Sequence, residues 1–172
     1  MATNRIAWVG NLNGAKEPLV MLGLFAAGAS VPIKRGEIIE FTGNTNTEWV
    51  PMDSDFNGAG NIAVANEEIK SGDRAGYYEI IVPRPGDIFE FELAAAGATA
   101  IKTALYFSSS QKVTVTAGSY VLGTAVGQEN YPQKQGHLSD DGGGDAGTTV
   151  RNQTYVRMTF DRASSLFAAL DL

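Results

Sequence analysis

The chain has 172 residues, 13 Lys and Arg against 19 Asp and Glu, and a formal net charge of −6. That length suits one domain, or one domain with arms, and 44% hydrophobic residues exclude wholesale disorder. The acidic balance argues against a nucleic-acid partner, which needs clustered Lys and Arg. The absence of cysteine removes disulfides, thiolate metal sites and cysteine nucleophiles, and the single His removes two-histidine metal sites.

The most apolar stretch, 18–31 (PLVMLGLFAAGASV), is shorter than the ~20 residues that a membrane-spanning helix needs. It follows no basic N-terminal region, so neither a signal peptide nor a membrane partner is expected. Twenty glycines and 9% aromatics, with many Thr and Val, point to an all-β chain with many turns.

Residues 1–16 are polar and punctuated by Gly and Asn, and they read as an N-terminal arm carrying Ile6 and Trp8. Trp8 needs a seat, either on its own domain or on a neighbouring subunit. Residues 17–172 read as a single β-domain. Strands are expected over 17–27, 33–41, 48–52, 62–66, 76–82 and 86–93. In the last of these, Phe89, Phe91 and Leu93 form a buried face opposite Ile88, Glu90 and Glu92. A small-residue link, 94–100, leads to three short strands at 105–107, 112–116 and 121–126. Residues 130–149 form a Gly-rich loop or second arm. Alternation resumes over 150–160, and Asp161 can cap a final helical turn at 162–170.

One local pattern recurs. Lys34-Arg35-Gly36-Glu37, Lys70-Ser71-Gly72-Asp73 and Arg84-Pro85-Gly86-Asp87 each place a basic residue, a variable one, Gly and an acid before an apolar run. Gly can take the positive φ of such a turn, and the acid can bond nearby backbone N–H groups.

No pattern carries catalysis. His137 lies in the Gly-rich loop, where nothing would hold a tautomer, and no G-x-S-x-G elbow, H-E-x-x-H pair or phosphate loop occurs. Asp53 with Asp55, and Asp140, Asp141 and Asp145, read as solvated acidic loops lacking calcium-loop spacing. Glu90 and Glu92 share a strand face and would suit a glycosidase only with the right geometry. Trp49 with Tyr77 and Tyr78, if exposed, could stack on sugar rings. Arg84, between Pro83 and Pro85, is either part of a rigid turn or an arginine presented to a partner carboxylate. No catalytic residue, cofactor or metal is expected. The candidate interface residues are Ile6, Trp8, Arg84, Tyr131, Arg151 and Arg157.

The string GDRAGYYEIIVPRPGDIFEFEL from Gly72, then Ala104-Leu105-Tyr106-Phe107, a polar turn, Lys112-Val113-Thr114 and Gly123-Thr124-Ala125-Val126-Gly127, resembles the head decoration (cement) proteins of tailed bacteriophages. Ile33 to Ile39 is similar to an early strand of that family, whereas 130–149 and the Ile6/Trp8 arm have no counterpart in its pattern. The resemblance implies a non-enzymatic virion protein, made in the host bacterial cytoplasm. It would bind the capsid exterior and clamp neighbouring subunits of the major capsid protein, as a homotrimer or less often a dimer. A tail or connector component, or a carbohydrate-binding β-domain, is the alternative. The fold expected is all-β, a small barrel or sandwich with an N-terminal arm and a short C-terminal helical turn.

Overall fold

The computed structural model describes residues 8–25, 32–41, 49–52, 61–70, 72–118, 120–127 and 155–160. These residues form β1 (Trp8–Asn11), β2 (Val20–Phe25), β3 (Ile38–Phe41), β4 (Trp49–Pro51), β5 (Asn61–Ala65), β6 (Gly76–Ile81), β7 (Asp87–Glu92), β8 (Ala104–Ser108), β9 (Lys112–Thr114), β10 (Gly123–Gly127) and β11 (Tyr155–Phe160). One 3-10 turn, Ser109–Gln111, joins β8 to β9. The chain is all-β in these regions. Its strands make a six-stranded sheet in the order β1-β7-β11-β10-β8-β9 and a five-stranded sheet in the order β2-β6-β5-β3-β4. Every ladder is antiparallel.

The middle of the five-stranded sheet, β3, β5 and the Ile80–Ile81 end of β6, is buried on both faces, because these strands are apolar at successive positions and strand side chains alternate sides. Ile38, Ile62, Val64 and Ile81 face the six-stranded sheet and join Phe89, Phe91, Leu93, Leu105, Val156, Met158 and Phe160 in one core. Their neighbours Ile39, Ala63, Ala65 and Ile80 point the other way, into a second core with Phe25, Ile33, Trp49, Ile69 and Val82. In the first core Phe160 meets Phe89 and Phe91 edge-on, with ring centroids 5.2 and 5.9 Å apart, a geometry worth about 1 kcal/mol per pair beyond burial.

Both sheets curl without closing into a barrel. The five-stranded sheet bends around the second core until its edges, β2 and β4, come into contact. Gly23 makes that approach possible, since a Cβ there would lie 2.7 Å from Cδ1 of Trp49. In the six-stranded sheet β9 returns to the end of β7, where Leu93 and Val113 form an isolated parallel bridge rather than a ladder.

The alternation expected in 86–93 and 150–160 is present where described: Phe89, Phe91, Leu93, Val156, Met158 and Phe160 are buried. Two expectations change. Within the predicted arm, residues 8–11 are the edge strand β1, paired with β7 through Trp8↔Phe89, Gly10↔Ile88 and Asn11↔Asp87. The 33–41 strand shortens to Ile38–Phe41, because the chain turns tightly at Lys34–Glu37, where the Glu37 N–H donates to the Lys34 carbonyl at 3.1 Å. Residues 1–7, the 130–149 loop and the helical turn at 162–170 lie outside the described residues, and that helical turn gains no support.

Gln111 ties the sheets together. It sits in the left-handed region at φ 61°, and its side chain replaces a peptide group. Nε2 donates to the Met52 carbonyl at 2.9 Å, and Oε1 accepts from the Ile38 N–H at 2.7 Å. Gln111→Ala leaves both backbone groups unpaired, so it should lower stability by about 2 kcal/mol, read as a lower urea midpoint at unchanged slope.

Candidate interaction surface

The three basic-x-Gly-acid segments build the same turn. Gly36, Gly72 and Gly86 have φ of 89°, 91° and 83°, the positive value that a type II turn requires at its third position. In each, the acid N–H donates back to the carbonyl of the basic residue, at 3.0–3.1 Å. The acid side chain in turn accepts from the N–H of the basic residue: Lys34 to Glu37 at 3.0 Å, Lys70 to Asp73 at 2.7 Å and Arg84 to Asp87 at 2.8 Å.

The third turn carries more. Asp87 is only 1% exposed, and five hydrogen bonds converge on its carboxylate. Oδ1 accepts from Trp8 Nε1 (3.0 Å), Asn11 Nδ2 (2.7 Å) and Arg84 Nη2 (3.2 Å). Oδ2 accepts from the Arg84 backbone N–H (2.8 Å) and from Arg84 Nε (3.1 Å). The same guanidinium donates through Nη2 to the Glu17 carbonyl at 2.6 Å. Asn13 Nδ2 donates to the Pro85 carbonyl at 3.0 Å, and the Leu12 N–H to the Gly86 carbonyl at 2.8 Å. Burial pushes the Asp87 carboxyl up, but the hydrogen bonds from Arg84, Asn11 and Trp8 outweigh it and hold the group below the ordinary aspartate range. In the otherwise equivalent turn at Glu37, burial wins over the Lys34 backbone bond and charge, and the carboxyl is raised.

These contacts place the predicted interface residues. Trp8 packs against the first core of its own chain. Arg84 meets the carboxylate of its own Asp87. Arg157 on β11 pairs with Glu90 across the sheet at 3.4 Å. Ile6, Tyr131 and Arg151 lie outside the described residues, as do His137, Asp53, Asp55, Asp140, Asp141 and Asp145. The structure brings Trp8 and Arg84 together on Asp87, while Arg157 belongs to a separate pair. Glu92 is bonded to Lys112 at 2.7 Å, so each of the two acids considered as a glycosidase pair faces a cation. Trp49 is 7% exposed and lies in the second core with Phe41 packed against it at a tilted 53° between ring planes, so it offers no ring to a sugar. Tyr78 is half-buried, edge-on to Phe25, and donates to the Arg74 carbonyl. Among the described residues no group of three or more His, Asp or Glu gathers to hold a metal ion, and no helix is long and apolar enough to cross a membrane.

An apolar surface emerges that the sequence reading had not singled out. Among the described residues β2 is an edge strand bonded to β6 alone, and it contains no charged residue. Val20, Met21 and Leu22 are exposed along it, Leu22 at 65%, and on the adjacent β6 Tyr77 is 69% exposed. Leu24 pairs with Tyr77 and Leu22 with Glu79, so Leu22, Leu24 and Tyr77 share one sheet face. Uncharged edges without a bulge or an inward charge are templates for another chain. The sequence signal was the apolar run itself, but only the topology shows that it lies at an edge.

Comparisons with protein-family models, with curated proteins and with solved structures return no match to this chain.

Gly72 has open space where a Cβ would project, whereas at Gly86 a Cβ would lie 2.7 Å from Asn13 Nδ2. Gly72→Ala should therefore cost only the left-handed backbone penalty, roughly 1–2 kcal/mol, and Gly86→Ala measurably more, both read by thermal melts. The Asp87 carboxylate, with its depressed pKa, contributes stability that is present above the unfolded-state pKa and lost as pH falls through the folded one. Raised Glu37 works oppositely, contributing in acid and losing that contribution as pH rises through its folded-state value. Asp87→Asn should lower neutral-pH stability by about 3 kcal/mol and flatten the acid limb of the stability–pH curve.

Proposed function

We propose that this chain is a virion structural protein of the tailed-phage decoration type. It would bind the exterior of an icosahedral capsid and stabilise it by bridging neighbouring subunits of the major capsid protein, with no cofactor and no catalytic step. The resemblance over Gly72–Gly127 motivates the reading. The observation that carries it is the exposed edge strand β2, itself without a charged residue, whose Val20 and Leu22 share a face with Tyr77 and Glu79 of β6. A cement protein needs contact area rather than chemistry, and β2, which touches β4 near Gly23 without forming a ladder to it, can extend its sheet onto a neighbouring chain while apolar side chains seal the contact. Two curled antiparallel sheets packed on a shared core form a body that suits a self-associating block, with the trimer favoured over the dimer. The acidic net charge suits a basic patch on the shell.

The first test is copy number in purified particles relative to the most abundant shell protein. Parity, or a simple fraction of it, is expected. A handful of copies would assign the chain to the tail or connector, and absence from particles would overturn the virion reading. Leu22→Lys then tests the surface. Because Leu22 is exposed, the melting temperature should hold while shell occupancy falls at least tenfold, about 1.4 kcal/mol of binding. Unchanged occupancy would remove β2 from the contact.

A further inference from the structure

The segment 8–17 is fastened to the domain at one place. β1 has only four residues and a register shift between Trp8 and Gly10. Among the described residues it is bonded along one side only, as the outer strand of its sheet. Its apolar burial is limited to half-buried Trp8, since Val9 and Leu12 are exposed. The other bonds that hold the segment all end on the Arg84–Asp87 turn: Trp8 and Asn11 on the Asp87 carboxylate, Asn13 on the Pro85 carbonyl, Leu12 on the Gly86 carbonyl, and the Glu17 carbonyl on Arg84. A peripheral strand with little buried apolar area opens locally at a free energy below that of global unfolding.

The carboxylate is the centre of this attachment, and its chemistry makes the attachment sensitive to protons. Oδ1 receives three N–H donors and Oδ2 receives two. An ionised carboxylate is acceptor-only and satisfies all of them, whereas a protonated one turns one oxygen into a hydroxyl that faces donors. Whichever oxygen takes the proton, the two or three N–H groups aimed at it are left to share a weaker hydroxyl acceptor whose own O–H faces donors, a mismatch that is costly in a buried place.

We propose that residues 8–17 form a proton-gated latch: ionised Asp87 holds β1 against β7, and proton uptake at Asp87 releases the segment as a unit while the two sheets stay folded. The charged group that touches Asp87 is Arg84, from the turn. β1 contributes only the neutral donors Trp8 and Asn11. On the outward face of β7, Glu90 and Glu92 are held by Arg157 of β11 and Lys112 of β9. Lys16 and Glu17 border the segment itself, and Glu17 contributes its backbone carbonyl. The hydrogen bonds that depress the Asp87 pKa place release on the acid side of the ordinary aspartate range. Release bares the β7 edge from Asp87 to Phe89 and the core surface under Trp8.

The experiment follows the amide and indole signals of the full chain by NMR from neutral pH to about pH 2. The expected result is a loss of at least tenfold in exchange protection over 8–14, together with a shift of the Trp8 indole N–H. That change should follow the Asp87 carboxyl titration, with Ile62 and Val64 of β5 still protected. Asp87→Asn should show the loosened segment already at neutral pH and no further acid dependence, whereas Glu90→Gln should leave the acid dependence unchanged. Should Asp87→Asn fail to fold, Asn11→Ala removes one donor without altering β7, and it should move release to higher pH. Loss of protection in 8–14 and β5 together would overturn the latch. So would a protected segment after Asp87 has titrated, or acid dependence that persists in Asp87→Asn. None of these outcomes depends on capsid binding.

Discussion

A β-sheet with two apolar faces cannot stand at a protein surface, and that constraint organises this fold. β3, β5 and β6 carry apolar side chains at consecutive positions, so each sends alternate residues into different cores. The outer faces must be covered by something else. On one side the six-stranded sheet supplies Phe89, Phe91, Val156, Met158 and Phe160. On the other the sheet covers itself by curling, bringing Phe25 of β2 and Trp49 of β4 over Ile39, Ala63 and Ile80. The curl requires close backbone approach, and Gly23 opposite Trp49 is where the sequence provides it.

Covering both faces leaves backbone groups at the seams, and polar side chains close them. Gln111 pairs with Ile38 and Met52 in the way a peptide group would. It holds a left-handed conformation worth roughly 1 kcal/mol of strain to do so. Asp87 closes the second seam, where the N-terminal segment meets the six-stranded sheet. A buried carboxylate is tolerated there because an arginine and several N–H donors satisfy it, and removal of one partner costs more than the pair contributes. Glu37 and Asp87 occupy the same turn position, yet their carboxyls shift in opposite directions. The difference is the number of donors, not the turn.

The same economy separates interior from surface. Arg84, Arg157 and Lys112 are each paired with a carboxylate of their own chain. Among the described residues, the edge of β2 is a place where unpaired backbone groups and exposed apolar side chains coincide. A contact of that kind depends on shape and sheet continuation more than on charge.

The sequence by itself determined the all-β class, most strand positions, the inward faces of β7 and β11, and the three glycine turns with their acid-to-backbone bonds. All of these are local: strand alternation has period two, and the turn needs Gly and an acid at fixed offsets. Tertiary structure alone decided the rest, because the partners are far apart along the chain. Trp8 looked like an arm residue until Asp87, 79 positions away, gave its indole a bond. Arg84 looked available to a partner until its own turn folded the guanidinium onto Asp87. Trp49 looked free to stack on a sugar until β2 curled over it. The apolar run in β2 could have been core or edge, and only strand order, which depends on long-range pairing, placed it at an edge.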